Sequence, residues 1–316
     1  MSTIRRNVPL KNYSNFKIGG TAAYFLEIKN VQNLLSGLKE WKEISKNSDK
    51  NRTLILGDGT NILFGSKGFS GLVIHNKVNN IEILNSDKVA VGAGVLVSDL
   101  LTFCIENSLS GFEWAGGLPG TVGGAVRGNA GAFGGETKDI LLETESFDIE
   151  TFEIKKRKNR ECEFNYRGSL FKTGGGKDEI ILSAVFRLKK DKSKDIKGKI
   201  EEKITYRKNR HPLEYPNVGS IFKNIPLEIV PEEVIKEFKS SIKNDPFPVL
   251  PTAKLIAFSD LPGRRVGDAQ VSEKHPNFII NLGNAKADDV LELIKIVKKT
   301  IKEKFGVELE EEITII

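Results

Sequence analysis

The sequence predicts an α+β protein of two or three domains, on three observations. The N-terminal part reads strand, helix, strand; a run of short β segments follows; and a charged stretch leads into a mixed region that closes on one long amphipathic helix. Helices do not alternate regularly with strands through the middle, which argues against a doubly wound dinucleotide fold. A chain of 316 residues is long enough to bury a large core.

Taken in order, 22–28 (AAYFLEI) and 53–57 (TLILG) are apolar β runs. Between them, over 31–44, Val31, Leu34, Leu35, Leu38 and Trp41 recur at helical spacing. Further β segments fall at 71–75, 80–84 and 88–94. Residues 98–107 are predicted to form a helix with Ser98 as its N-cap. β-type runs return at 143–157 and 179–188, and a charged helical connector between domains is expected over about 193–209. The remainder mixes 231–242, 253–259 and 277–281 with the final helix. There Val290, Leu293, Ile294, Val297, Ile301 and Phe305 share one face. Asp288 and Asp289 early, and Lys298, Lys299, Lys302 and Lys304 late, match the helix dipole, and Gly306 is a natural stop.

Composition narrows the class. Hydrophobic residues at 39% and charged residues at 28% fit an ordinary soluble domain. No run of 18 apolar residues occurs, so membrane insertion is not expected. The N-terminal residues lack an apolar signal core, so no secretory signal is expected. Cys104 and Cys162 lie far apart and fit no metal or redox spacing; core thiols in a reducing cytoplasm are expected, with no metal. Net charge is +6, yet the lysines of 190–203 are interspersed with acids and no basic stripe carries aromatics. Nucleic acid is not an expected partner; small anions are.

The segment 111–135, GFEWAGGLPGTVGGAVRGNAGAFGG, holds ten of the chain's 30 glycines. Glycine costs about 0.5–1 kcal/mol relative to alanine in regular structure. Chains tolerate that density where backbone N–H groups wrap an anion or lie against a flat ligand. Trp114, Leu118, Pro119, Val122, Val126 and Phe133 give the segment an apolar side, unlike a flexible linker. It is expected to be a cofactor cradle, drawing on Gly117, Leu118, Pro119, Gly120, Val122, Gly123, Gly124, Asn129, Ala130 and Gly131.

Gly57, Asp58, Gly59, Thr60 and Asn61 follow an apolar strand and present consecutive amides, a hydroxyl and a carboxamide. They suit a pyrophosphate nest, with a tight turn between strands as the alternative; paired with 111–135, they are expected to form a two-part dinucleotide site. They match neither GxGxxG nor a Walker loop. In CEFNYRGSLFK (162–172), Tyr166 and Arg167 adjoin on a strand-like alternation that would send them to opposite faces. Ser220 sits in a Pro/Gly-rich turn, where serine is most often a cap. Glu308, Glu310 and Glu312 share a face by period two on a terminal β run, which alone reads as a solvated edge strand.

Together, NFKIGGTA (15–22), LGDGTNILF (56–64), GAGV (92–95), GLPGTVGGAVRGNAGAFGGE (117–136), YRGSLFK (166–172), GSIFKN (219–224), GDAQVSEKHPNFIIN (267–281) and FGVELEEEI (305–313) resemble the UDP-N-acetylenolpyruvoylglucosamine reductase family nearly end to end. The C-terminal half looks like the family's shorter type, which lacks a tyrosine-bearing substrate loop. It departs from the family at Ile225, where proline is usual, and in a longer 226–251 stretch.

The resemblance implies a vanillyl-alcohol-oxidase (PCMH) type FAD-binding domain of two α+β subdomains plus a C-terminal α+β substrate domain. The expected division is 1–76, completed by 307–316; 77–205; and a substrate domain over 206–306. It implies non-covalent FAD, NADPH as hydride donor, a UDP-sugar substrate, and reduction of UDP-N-acetylglucosamine enolpyruvate to UDP-N-acetylmuramate for peptidoglycan. Carried over by position, Arg167 is the catalytic arginine, Ser220 the proton donor and Glu312 the catalytic glutamate. Hydride would pass from flavin N5 to the enolpyruvyl methylene. Tyr166, Asn224 and His275 become substrate contacts. A monomeric cytoplasmic enzyme is expected. The alternatives are an FAD oxidase of the same fold acting on a sugar or hydroxy acid, and a silent nucleotide-sugar binder; YRGS, GSIFKN and LEEE together favour the reductase.

Overall fold

The computed structural model describes residues 3–46, 52–191 and 195–316. The chain forms two compact units: one from 1–8, 22–58 and 70–207, the other from 9–21, 59–69 and 208–316. Both mix helix and strand, as an α+β class requires.

In chain order the elements are β1 (Ile4–Pro9), β2 (Thr21–Ile28), α1 (Val31–Ser45), β3 (Thr53–Leu56), β4 (Ile62–Leu63) and β5 (Phe69–Asn76). In the first unit a four-stranded sheet runs β1-β2-β5-β3. Strands β3 and β5 are parallel, with Thr53 opposite Leu72 and Leu56 opposite His75. A parallel pair needs a crossover, and residues 57–68 supply it. The Asn30 side chain accepts the Asn33 N–H at 2.8 Å and caps α1. Leu34, Leu38 and Trp41 are buried with Leu26 and Ile74. Gly37 packs so closely that a Cβ there would collide with Leu26 Cδ2. Strand β1 was not expected: IRRNVP buries only Ile4 and Val8, so pairing with its neighbour, not alternation, makes it a strand.

The second sheet of this unit is fully antiparallel. It comprises β6 (Ile81–Ile83), β7 (Lys88–Gly92), β8 (Leu141–Asp148), β9 (Ile154–Lys158) and β10 (Glu179–Arg187), in the order β9-β8-β10-β7-β6. The β run expected at 143–157 is thus a hairpin of two strands. Helices α2 (Val97–Glu106) and α3 (Val122–Arg127) pack against this sheet through Val97, Leu100, Leu101, Val122 and Val126. Ser98 is not the cap of α2; Leu96 is. The Val97 N–H donates to Gly120 O at 2.9 Å, so pairing with the glycine segment sets where α2 begins. The charged connector is α4 (Ile196–Arg210), which buries Ile196 and Ile200 against the same core; residues 193 and 194 of the expected range lie outside the described residues.

The second unit has its own core, including Phe16, Leu63, Ile221, Phe222, Leu255 and Ile279. Helix α5 (Thr252–Ala257) packs against α6 (Ala287–Phe305). The predicted face of α6 is buried, and Gly306 ends the helix at φ +67°. Full burial contributes about 1.5–3 kcal/mol per large apolar side chain. The exposed ion pairs of α6, such as Lys299–Glu303 at 3.9 Å, contribute about 0–1 kcal/mol. Burial therefore holds this helix. The terminal run is a short strand, β11 (Thr314–Ile315), parallel to β4 with Thr314 opposite Ile62. Among the described residues no helix is long and apolar enough to cross a membrane.

Candidate active site

In the first unit the two glycine-bearing segments meet. A Cβ on Gly57 would lie 2.7 Å from Thr121 Oγ1, so only glycine lets the end of β3 approach the start of α3. In the second unit a Cβ on Gly59, at φ +66°, would collide with Tyr13 O, so chain packing fixes that glycine too. Among the described residues the chain gives no acceptor to the N–H groups of Gly59 and Thr60, nor, in the first unit, to those of Gly120 and Thr121.

The amides at the start of α3 are otherwise engaged. Val122 N–H donates to Val95 O at 2.9 Å and Gly123 N–H to Ala93 O at 2.8 Å. The Val122 side chain is in the core. A Cβ on Gly123 would meet Ala93 Cβ at 2.8 Å, which makes Gly123 a packing glycine. Gly124 differs: its Cβ position meets only Thr121 Oγ1, at 3.5 Å, and faces open space. Leu118 packs against the core, while Gly117 and Pro119 are exposed. The Ala130 carbonyl accepts from Thr137. Buried Asn129 links segments, donating to Asn165 O at 3.1 Å and accepting from Lys138 N–H at 3.1 Å.

Residues 165–168 form a tight turn, not the expected strand. Asn165 and Gly168 exchange both backbone hydrogen bonds, at 3.1 and 3.2 Å. Tyr166 and Arg167 are the corner residues, and the Arg167 Cζ lies 5.3 Å over the Tyr166 ring instead of on an opposite face. Arg167 adopts φ +56°, a region costly for a residue with a Cβ, by about 1–3 kcal/mol. Its Nη1 donates to Gly131 O at 3.1 Å, and the following Ser169 Oγ donates to Arg127 O at 2.7 Å. The turn is thereby fixed to the glycine segment.

Sequence reasoning missed Arg207, on α4. Its Nε donates to Gly116 O at 2.9 Å and its Cζ lies 5.2 Å over the Phe133 ring. Burial, with the nearby Arg167 charge, holds its guanidinium down at about 10. Nothing in the polar sequence of α4 distinguished Arg207 from the solvated cations around it. Arg127, on α3, is also held below the usual arginine range by burial.

In the second unit Ser220 is half-buried and bridged antiparallel to Phe278. Asn217 Oδ1 accepts the Gly219 N–H at 3.0 Å, shaping the turn that presents Ser220. Asn277 then clamps the next residues, accepting from Phe222 N–H and donating to Phe222 O. The Glu312 N–H donates to Ile221 O at 2.8 Å, and Asn61 Nδ2 donates to Glu312 O at 3.2 Å. Asn61, Ser220 and Glu312, distant in sequence, therefore share one backbone neighbourhood, and Glu312 is bridged into the unit instead of forming a free edge. Asn224 Oδ1 accepts the Thr252 N–H that opens α5, at 3.4 Å. The His275 ring packs 4.7 Å from Phe278 and 5.2 Å from His211. Its Nδ1 is buried without a partner, and burial lowers its pKa to about 4, so the ring is neutral at pH 7.

No metal-binding cluster of His, Cys, Asp or Glu occurs among the described residues. Cys104 and Cys162 are free and buried, and burial pushes the Cys104 thiol up to about 12.

The profile of the UDP-N-acetylenolpyruvoylglucosamine reductase C-terminal domain matches residues 211–316, and that of an FAD binding domain matches residues 38–150. The UDP-N-acetylenolpyruvoylglucosamine reductase of Clostridium novyi (strain NT) is 37% identical over 314 residues, covering 99% of this chain and 92% of that protein. The enzyme of the same name from Listeria monocytogenes serotype 4a (strain HCC23) is 37% identical over 316 residues, covering 99% and 95%. The crystal structure of UDP-N-acetylenolpyruvylglucosamine reductase from Thermus caldophilus superposes with a TM-score of 0.76 at 29% identity, covering 99% of each chain.

Proposed function

The chain belongs to the UDP-N-acetylenolpyruvoylglucosamine reductase family, and on that premise we propose how its residues carry the reaction. The protein is an FAD-dependent oxidoreductase that uses NADPH to reduce UDP-N-acetylglucosamine enolpyruvate to UDP-N-acetylmuramate, a peptidoglycan precursor. Bound FAD would supply the hydride, drawn from NADPH, that reduces the enolpyruvyl methylene carbon.

Within the first unit, the free N–H groups of Gly120 and Thr121 and the open face of Gly124 fit a flat nucleotide carrying phosphates. Residues 57–61 and 117–131 would hold it. FAD then belongs to 1–76, with 307–316, and to 77–205, and the UDP-sugar to 206–306. The matches over 38–150 and 211–316 support only an FAD-binding part that precedes the family's C-terminal domain.

Arg167 binds the substrate carboxylate and the charge that spreads into it once the methylene carbon is reduced. A guanidinium stays protonated and can hold a carboxylate through two parallel N–H bonds. A donor aimed at developing charge is typically worth about 2.7–4 kcal/mol. Ser220 delivers the proton to the carbon beside the carboxylate; its hydroxyl has no partner among the described residues. Glu312 polarises the carboxylate, while Tyr166, Asn224 and His275 contact substrate.

The observation that carries this reading is Arg167 at φ +56° in the turn that Asn165 and Gly168 close, with its guanidinium bonded to Gly131 O in the glycine segment. A monomeric state and a cytoplasmic location are part of the same proposal; light scattering tests the first and cell fractionation the second.

Anaerobic NADPH should bleach the bound flavin, and the enolpyruvyl UDP-sugar should restore its colour without oxygen. Restoration by oxygen alone would point to an oxidase.

A further inference from the structure

Arg207 is tethered on one edge and unpaired on the other. Its Nε donates to Gly116 O at 2.9 Å, whereas its Nη2 is buried with no hydrogen-bond partner among the described residues. No carboxylate there lies within ion-pairing distance of it. Instead the neighbouring charges are cations: Arg167 is near enough to depress its protonation, and Lys203 shares the Phe133 ring at 5.4 Å.

The surrounding backbone accommodates this arrangement at a cost. Gly117, at φ +70°, lies so close that a Cβ would meet Arg207 Cδ at 2.9 Å. Phe133, whose ring covers the guanidinium at 5.2 Å, itself sits at φ +52°. Its ring is held edge-on by Tyr206 at 5.3 Å. A structural arginine would satisfy its buried donors on carbonyls or carboxylates. A half-buried guanidinium beside a second cation, with a buried unpaired donor, carries a desolvation cost that a bound anion would offset.

We infer that Arg207 is a further binding residue of this site and that, with Arg167, it receives one oxyanion. The inference rests on the reading of Arg167 given above. Two sources offer that chemistry: the carboxylate of the enolpyruvyl substrate, and the pyrimidine carbonyl of the flavin, which gains negative charge on reduction. Either would lie against the two guanidiniums, and charge-assisted bonds to both would offset their mutual repulsion.

Arg207→Gln and Arg207→Lys, prepared as FAD holoenzymes, test this. One arm titrates the enolpyruvyl UDP-sugar onto the oxidised enzyme and reads the flavin absorbance shift. The other, without substrate, measures the flavin midpoint potential and its affinity for sulfite, which rises when a cation faces the pyrimidine. For Arg207→Gln, a loss of about tenfold or more in substrate affinity at unchanged potential supports the carboxylate source. A more negative potential with about tenfold weaker sulfite binding supports the flavin source. Arg207→Lys keeps the charge without the fork, so the affected quantity should fall less. If Arg207→Gln does not retain FAD, Arg207→Lys decides on the same readouts. Wild-type values in both arms would overturn the inference. If wild-type enzyme reduced by NADPH is not reoxidised by the substrate, the functional reading itself fails, while the sulfite arm still judges Arg207.

Discussion

Arg167 donates from Nη1 to the carbonyl of Gly131 at 3.1 Å while its own backbone stands at φ +56°. The chain thus keeps a β-carbon-bearing residue where glycine would be preferred, at the second corner of a tight turn. Stability and activity should separate at this position. Arg167→Gly relieves the strain and should leave the urea midpoint unchanged or higher, yet turnover should fall by at least 100-fold, about the 2.7–4 kcal/mol of one positioned donor. Arg167→Lys should retain FAD and stability while turnover drops, because an ammonium cannot hold a carboxylate in a fork. Wild-type turnover in either variant would remove Arg167 from the chemistry.

Gly123 and Gly124 adjoin but should respond oppositely to alanine. At Gly123 the new methyl meets Ala93 at 2.8 Å, so Gly123→Ala should destabilise the apoprotein. At Gly124 it enters open space inside a helix, where alanine is about 0.5–1 kcal/mol better than glycine. Gly124→Ala should therefore raise apoprotein stability while weakening FAD retention. Calorimetry of the apoprotein beside a fluorescence titration with FAD separates the two effects; undiminished FAD affinity in Gly124→Ala would deny that this face meets the cofactor.

Much of the fold was legible because burial writes itself as periodicity. The apolar face of α6 and the stripe on α1 needed only spacing. What escaped depends on contacts distant in sequence. Leu96, not Ser98, begins α2 because 95–97 pair with 120–122. The 165–168 turn was read as a strand because its flanks alternate, and arginine at a turn corner gives no local signal. Within the glycine segment, Val122, Gly123 and Asn129 are tied into the chain's own packing, which glycine density alone does not signal. Arg207 was hidden in the most ordinary-looking helix, since only the tertiary position of Phe133 and Gly116 distinguishes it from the lysines beside it.

Two histidines, His75 buried and His275 half-buried, should make folding stability pH-dependent. His75 and His275 are both lowered to about 4, chiefly by burial. Lys77 also lowers His75, with Glu27 acting against it, and Lys243 lowers His275. Between about pH 6.5 and 4 the unfolded chain therefore binds more protons than the native one, so stability is full above pH 6.5 and falls as pH drops toward 4. Urea midpoints measured from pH 7.5 to 4.5 should decline, and His75→Gln should flatten part of the slope. A midpoint that rises toward pH 4.5 would contradict the neutral state of these rings.

On the proposed mechanism, Ser220 supplies the proton in the second half-reaction. Single-turnover stopped-flow near 450 nm on Ser220→Ala tests it most directly. NADPH reduction of the bound flavin needs nothing from Ser220, so its rate should match wild type. Reoxidation by the enolpyruvyl UDP-sugar needs the proton, so it should slow by about 10²–10⁴-fold, and Ser220→Cys should recover part of the loss. Equal slowing of both half-reactions, or reoxidation at the wild-type rate, would contradict the assignment.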